Sequence, residues 1–263
     1  MNLIFMHWSQ FFFNVVRIAR RYFVVAGFAF LVFYLLLGKK ILYRKIQKRF
    51  PRNKDYFREV GYSVCTIFIF ALVTFVVLQV PAIRSYTLFY KDLHEHGWLY
   101  FFLAFPSMFV IHDTYFYWTH RVMHLPALFR WFHLVHHYSS NPSPWAAYAF
   151  HPLEALVESG IFVLFLFLMP IHPLHLGIFF FIMIVYNVYG HLGYELYPKG
   201  FNRSFFGKWI NTSVNHNQHH QYFKGNYGLY FLWWDRWMNT LRDDYDEKFN
   251  EVKSASDLQL KKA

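Results

Sequence analysis

Long apolar runs separated by short polar stretches dominate this chain, and that pattern predicts helices that cross a bilayer. A crossing needs about 20 apolar residues, because each adds about 1.5 Å toward about 30 Å of hydrocarbon. Val24 to Leu37, extended by Tyr22 and Phe23 and stopped by Gly38 and Lys39-Lys40, makes one span. Gly61 to Val80, closed by Pro81, makes a second; Trp98 to Trp118 makes a third, with His112 and Asp113 near its end. Leu153 to Met169 and Leu174 to Gly190 lie around Pro170 and Pro173 and predict a helical hairpin with two shorter arms. Residues 3–16 are apolar and aromatic, have no basic start, and precede Arg17, Arg20 and Arg21 without a small-residue cleavage site. They read as an interfacial helix rather than a signal peptide. The segment from Asp243 onward reads as a polar, solvated tail. The expectation is an all-α, multi-pass membrane protein with three clear spans, a hairpin and a helical cap. It divides into a two-span region at 1–97, a region at 98–242 that holds the third span and the hairpin, and a tail at 243–263.

Basic residues orient the spans. Lys39, Lys40, Arg44, Lys45, Lys48, Arg49, Arg52, Lys54 and Arg58 fall between the first two, whereas residues 81–97 hold only Arg84 and Lys91. Positive-inside bias puts 39–60 in the cytoplasm, and a returning hairpin keeps the rest of the chain there. Topology thus accounts for the net charge of +11, which argues against nucleic acid as a partner. The sequons at Asn202 and Asn211 fall on the same cytoplasmic side and are discounted.

Composition agrees with the membrane reading: 56% hydrophobic and 24% aromatic residues, against only 16% charged. The single cysteine, Cys65, excludes an internal disulfide, and the chain lacks the CxxCH that attaches c-type haem.

The histidines change the picture. His120 and His124 form an HxxxH; His133, His136 and His137 form an HxxHH; His216, His219 and His220 form a second. Positions three and four apart share a helix face, so each box is expected to aim its imidazoles in one direction. Eight histidines exceed the needs of one tetrahedral ion, and unpaired imidazoles beside a membrane are costly, so two metal ions are the economical solution. His191, where the hairpin ends, is a ninth ligand candidate, and Asn187, one turn earlier, is a candidate to hold a metal-bound water. Asp113, His151 and Glu195 are candidates to hold ligand rings in place, as is Asp235. Trp145, Tyr148, Phe150 and Tyr227, together with Tyr222 and Tyr230, are candidates to line a substrate entrance or to form an interfacial aromatic belt.

Imidazole suits zinc, copper, iron and nickel alike. A zinc protease would show HExxH, whereas this box reads HRVMH. A saturated lipid carbon offers no acidic proton or electrophilic carbonyl, so oxidising it needs a cofactor that activates O2. The order HxxxH, HxxHH and a distant HxxHH, with Phe150-His151-Pro152 between, resembles the fatty acid hydroxylase/sterol desaturase superfamily over residues 108–242. Three stretches resemble the sterol C-5 desaturase-like branch: Tyr117 to Arg121, Asn141 to Pro152, and Asn226 to Arg236. The departure is at Asn187, where some members have histidine.

The resemblance implies two non-haem irons, with zinc able to substitute in a purified sample, and O2. It also implies electrons from a cytochrome b5- or ferredoxin-type carrier and a lipid, of sterol or fatty-acyl type, that is hydroxylated or desaturated. The alternatives are a zinc-dependent lipid hydrolase and a non-catalytic metal-binding or transport protein. A bacterial inner membrane is the favoured host, with the endoplasmic reticulum as the other choice.

Overall fold

A computed structural model describes residues 8–260. The expected all-helical architecture is present, and among the described residues only isolated bridges occur in place of strands. Helix α1 runs Trp8–Leu36, its last turns, Leu31–Leu36, widened to a π-helix. Then come α2 (Asn53–Gln79), α3 (Gly97–Met123), the short α4 (Pro126–Phe132), α5 (Pro152–Leu168) and α6 (Pro173–Gly190). The cap contributes α7 (Ser213–Tyr222), α8 (Trp233–Trp237) and α9 (Tyr245–Leu260).

Four helices, α1, α2, α3 and α6, are long and apolar enough to cross a membrane. The protein is a multi-pass membrane protein, with α5 and α6 as the expected hairpin. Each arm starts at a proline whose missing N–H costs nothing in the first turn. His151 and His172 cap the two arms, accepting the Leu153 and Leu174 N–H groups at 3.2 and 3.1 Å.

Two segments differ from expectation. Residues 8–16 are not a separate interfacial helix: no proline or glycine breaks α1 before Gly27, and its arginines turn toward a cavity instead of ending the run. The rest of that expected helix, residues 3–7, lies outside the described residues. The segment from Asp243 is not a solvated tail either. Tyr245, Phe249 and Val252 of α9 are buried against Ile46, Val214 and Leu232, and the Lys253 ammonium donates to the Glu195 carbonyl at 2.8 Å. The one-face apolar spacing at 245, 249 and 252 marks a docked helix.

Lipid tails are as apolar as leucine, so the spans associate through close packing and buried hydrogen bonds. Small residues admit that approach: Ala26 and Ala29 of α1, Ala71 of α2 and Ala155 of α5 are all buried. Tyr22 ties α1 to its neighbours, its hydroxyl bonding Ser63 Oγ of α2 at 2.9 Å and the Trp145 carbonyl at 2.8 Å.

The connections sort into two ends. At one, Leu88 and Tyr90 pair with Leu166 and Ile171, and His172 Nε2 meets the Lys91 carbonyl. At the other, Ile46 N–H bonds the Gly193 carbonyl and Glu195 N–H bonds that of Arg44. Gln47 there reaches Asn217 of α7 at 3.0 Å. The basic 39–52 segment, the C-terminal ends of α3 and α6, and the cap therefore share one end. The discounted sequons are buried in it: Asn202 bonds Asp246 and Asn211 bonds the Gly228 carbonyl.

Candidate metal centre

All nine predicted histidines converge, and they do so as two separate groups. His120, His124, His133, His137 and His219 form one; His136, His191, His216 and His220 form the other. Within each group the ligand atoms all lie within 4.8 Å of one another.

The expectation that each box points one way holds for HxxxH and fails for both HxxHH boxes. His133 and His137 join the first group while His136 joins the second. His216 and His220 join the second while His219 joins the first. Neighbouring helical residues diverge by about 100°, so the adjacent pairs 136/137 and 219/220 cannot share a target, whereas positions four apart can. The chain also leaves α4 at His133, whose ψ of −13° and φ of −119° start a new single turn at Leu134–His137. Each HxxHH box thereby straddles both groups and ties them together.

The contacts are between Nε2 atoms. In the first group His120 lies 2.8 Å from His133, and His137 lies 3.1 Å from His124 and 3.0 Å from His219. In the second, His191 lies 3.2, 3.0 and 3.1 Å from His136, His216 and His220. The opposite ring nitrogens decide what these approaches mean. His120 Nδ1 donates to the Tyr227 carbonyl at 2.9 Å, His219 Nδ1 to that of Gly225 at 2.7 Å, and His191 Nδ1 to that of Asn187 at 2.8 Å. A neutral imidazole that donates through Nδ1 has a bare Nε2, so these rings turn lone pairs inward. His133 joins them through Glu154, whose Oε1 accepts from Nδ1 at 2.6 Å. Lone pairs crowded at such distances repel unless a cation lies between them, and imidazole on a metal sits at about 2.0–2.1 Å. The donor set fits two metal ions.

Burial keeps the rings in the neutral form that binds metal. It pushes His133, His136, His137, His216, His219 and His220 well below the usual histidine range, with mutual repulsion adding to the effect. His191 is pushed down to about 4 by burial.

The residues expected to steady ligand rings act differently. Asp113 Oδ1 accepts the backbone N–H groups of Tyr230 and Phe231 at 2.7 and 3.1 Å, so it holds a loop rather than a histidine tautomer. Asp235 accepts from Tyr227 and Gly228 N–H at 2.9 and 2.7 Å and from Thr240 Oγ1 at 2.7 Å. Together they shape the 225–231 loop, whose carbonyls orient His120 and His219. Glu195 is committed to Tyr189 Oη, Tyr197 N–H and Val214 N–H, which anchors the start of α7. His151 spends Nδ1 on capping α5. Asn187 donates its amide to the Ala147 carbonyl at 2.8 Å while its own carbonyl holds His191.

Glu154 is the ring-orienting carboxylate that the sequence reading missed. The available signal was an ionisable residue inside an apolar membrane arm, and Glu158, one turn further along α5, carries the same signal.

A cavity of about 480 Å³ lies inside the bundle, walled chiefly by apolar side chains of α1, α2, α3, α5 and α6; none of the nine histidines lines it, but residues that adjoin them do. Its inner end is marked by Phe116, one turn before His120, by Phe150, 5.2 Å from His136, and by Asn187. Arg17, Arg20 and Arg21 also line it, as do the exposed Ile178 and Phe181 of α6. Of the expected lining residues, Tyr148 and Phe150 face this space. Trp145 packs on Phe23 and Phe30 of α1 instead. Tyr227 packs against the first histidine group, its ring tilted 57° to that of His124 at 5.1 Å. Tyr230 Oη meets His112 Nδ1 at 3.0 Å, and Tyr222 is half-exposed beneath Arg242.

The family model described as fatty acid hydroxylase matches residues 105–240, the stretch that supplies every one of these histidines. The chain belongs to the fatty acid hydroxylase family. Within it, the sterol desaturase-like branch is indicated by its curated relatives. The Delta(7)-sterol 5(6)-desaturase ERG3B of Gibberella zeae is 28% identical over 87% of this chain and 71% of its own length. Lathosterol oxidase of Rattus norvegicus is 31% identical over 68% of this chain and 58% of its own. The probable Delta(7)-sterol 5(6)-desaturase of Neurospora crassa is 30% identical over 89% of this chain and 65% of its own. The chain thus spans less than two thirds of the length of the latter two. No solved structure matches it.

Proposed function

We propose that this protein is a membrane lipid oxidase that hydroxylates or desaturates a C–H bond of a sterol-type lipid, using two irons, O2 and electrons from a cytochrome b5- or ferredoxin-type carrier. The observation that carries this reading is the pair of converging Nε2 groups, separated by Phe116 and Phe150 from an apolar cavity inside the spans. The names of the relatives support a sterol as the substrate that is oxidised. Two irons held by the nine histidines would supply the O2 activation that an unactivated C–H bond requires.

The chain's own residues do the rest. Tyr227, Gly225, Asn187 and Glu154 hold the ligand rings as neutral tautomers aimed inward. Phe116, Phe150 and the aliphatic walls of α5 and α6 hold the lipid dry against that end of the cavity. The lipid enters sideways between α1 and α6, where Ile178 and Phe181 face the bilayer. Whether hydroxylation or desaturation follows depends on where this wall holds the second C–H, a question of sub-ångström placement.

The basic 39–52 segment at the histidine end supports a cytoplasmic cap and offers a surface for an acidic electron carrier. The relatives come from fungi and mammals, which supports the endoplasmic reticulum as the host membrane; nothing in the comparisons supports the bacterial inner membrane favoured from sequence.

The test is O2 uptake by the purified, iron-loaded protein given reductant and a Δ7-sterol, with mass spectrometry of the product. A product gaining one oxygen or losing two hydrogens is expected. No O2 uptake, with the sterol recovered unchanged, would contradict the oxidase reading.

A further inference from the structure

Glu158 is 9% exposed, lines the cavity and has no hydrogen-bond or ion-pair partner among the described residues. An unsatisfied carboxyl in an apolar wall is expensive, and the cost is relieved when something in the cavity donates a hydrogen bond to it. Its position says where on the ligand that donor sits. Glu158 follows Glu154 by one helical turn, about 6 Å along α5, and Glu154 touches the His133 ring. The other polar groups at this end are already engaged: His112 with Tyr230, the Asn187 amide with Ala147, and Ser159 with the Leu156 carbonyl. The arginines that line the same cavity, Arg17, Arg20 and Arg21, form no ion pair with Glu158.

We propose that Glu158 accepts a hydrogen bond from a hydroxyl of the lipid, carried at the same end of the molecule as the oxidised carbon. It is thereby a specificity-determining residue that selects hydroxylated lipids. This rests on the reading that the cavity holds the lipid to be oxidised. An alkyl chain without a donor leaves Glu158 unsatisfied.

The test uses the full chain, metal-loaded, in lipid nanodiscs, with two probes: a Δ7-sterol bearing a free hydroxyl and the same sterol capped as its methyl ether, which cannot donate. The wild-type protein should bind the free sterol about tenfold more tightly, the scale of one buried hydrogen bond. Glu158→Leu should erase that preference with metal content unchanged. Glu158→Gln, which still presents an acceptor oxygen, should keep part of it. Equal binding of both probes by the wild type, a preference that survives Glu158→Leu, or no binding of either sterol overturns the proposal. O2 uptake separates this from the functional reading. Equal oxidation of both probes would sink the role of Glu158 and leave the oxidase standing. A hydroxyl preference in binding, with no O2 consumed, would do the reverse.

Discussion

Glu154 Oε1 lies 2.6 Å from Nδ1 of His133, and Nε2 of the same ring lies 2.8 Å from Nε2 of His120. One carboxylate thus sets the tautomer and the basicity of a ring at the heart of the first histidine group. Removing such a partner ordinarily costs 10–100-fold in metal affinity or activity, by order of magnitude. Glu154→Gln should weaken metal binding on that scale in the first group, measured by competition with a graded series of chelators. Unchanged affinity would mean that His133 is oriented by its packing alone.

Gly225 carries the carbonyl that holds His219, at a φ of +78°, and a Cβ there would lie 2.7 Å from the Thr240 carbonyl. Side chains are strained at that φ, and the clash is with backbone, so the loop must shift. Gly225→Ala should lower turnover by at least about tenfold, because ångström-scale displacement is amplified in catalysis. The check is steady-state kinetics with metal content measured alongside. Wild-type kinetics would show that the loop accommodates the methyl group.

Asp235 acts on the same loop from the other side, through Tyr227 and Gly228. Asp235→Ala strands two buried N–H groups at a cost of about 1–3 kcal/mol each. It should lower thermal stability and turnover together. Asp235→Asn, which keeps one acceptor, should recover part of both.

Acid should strip the metal. The histidines outside the spans are held below their free value of about 6.5, so the unfolded chain takes up protons before the folded site does. The stabilisation is fully present above about pH 6.5 and is lost as pH falls from there toward the His191 value of about 4. Bound metal should therefore dissociate below about pH 6, read by dialysis at stepped pH. Retention at pH 4 would argue against coordination by histidine alone.

Much of this was legible in the residues. The spans announced themselves as apolar runs, and eight of the nine ligands were visible because three- and four-residue spacing on a helix needs no tertiary information; His191 was found from its place at the end of the hairpin. The split of each HxxHH box was also implicit in the 100° between neighbours, yet it emerges only once the partner helices are placed. What could not be read were long-range relationships. Tyr227 and Gly225 orient His120 and His219 through backbone carbonyls, which any residue type supplies. Asp113 and Asp235 looked like ligand partners because they are acids near histidines, and they serve the loop instead. The C-terminal helix was misread because its three buried apolar residues sit among many charges, and their partners, Ile46, Val214 and Leu232, are remote in sequence.

The central claim is that nine histidines make two metal sites, each HxxHH box shared between them. It is tested most directly by counting iron per chain in purified protein reconstituted with Fe(II) without oxygen, in the wild type, the double variant His124→Ala/His137→Ala, and His216→Ala. Two irons per chain are expected in the wild type. In each variant one iron should remain, from opposite groups, with the fold intact by circular dichroism. One iron or none in the wild type, or two in either variant, would contradict the account.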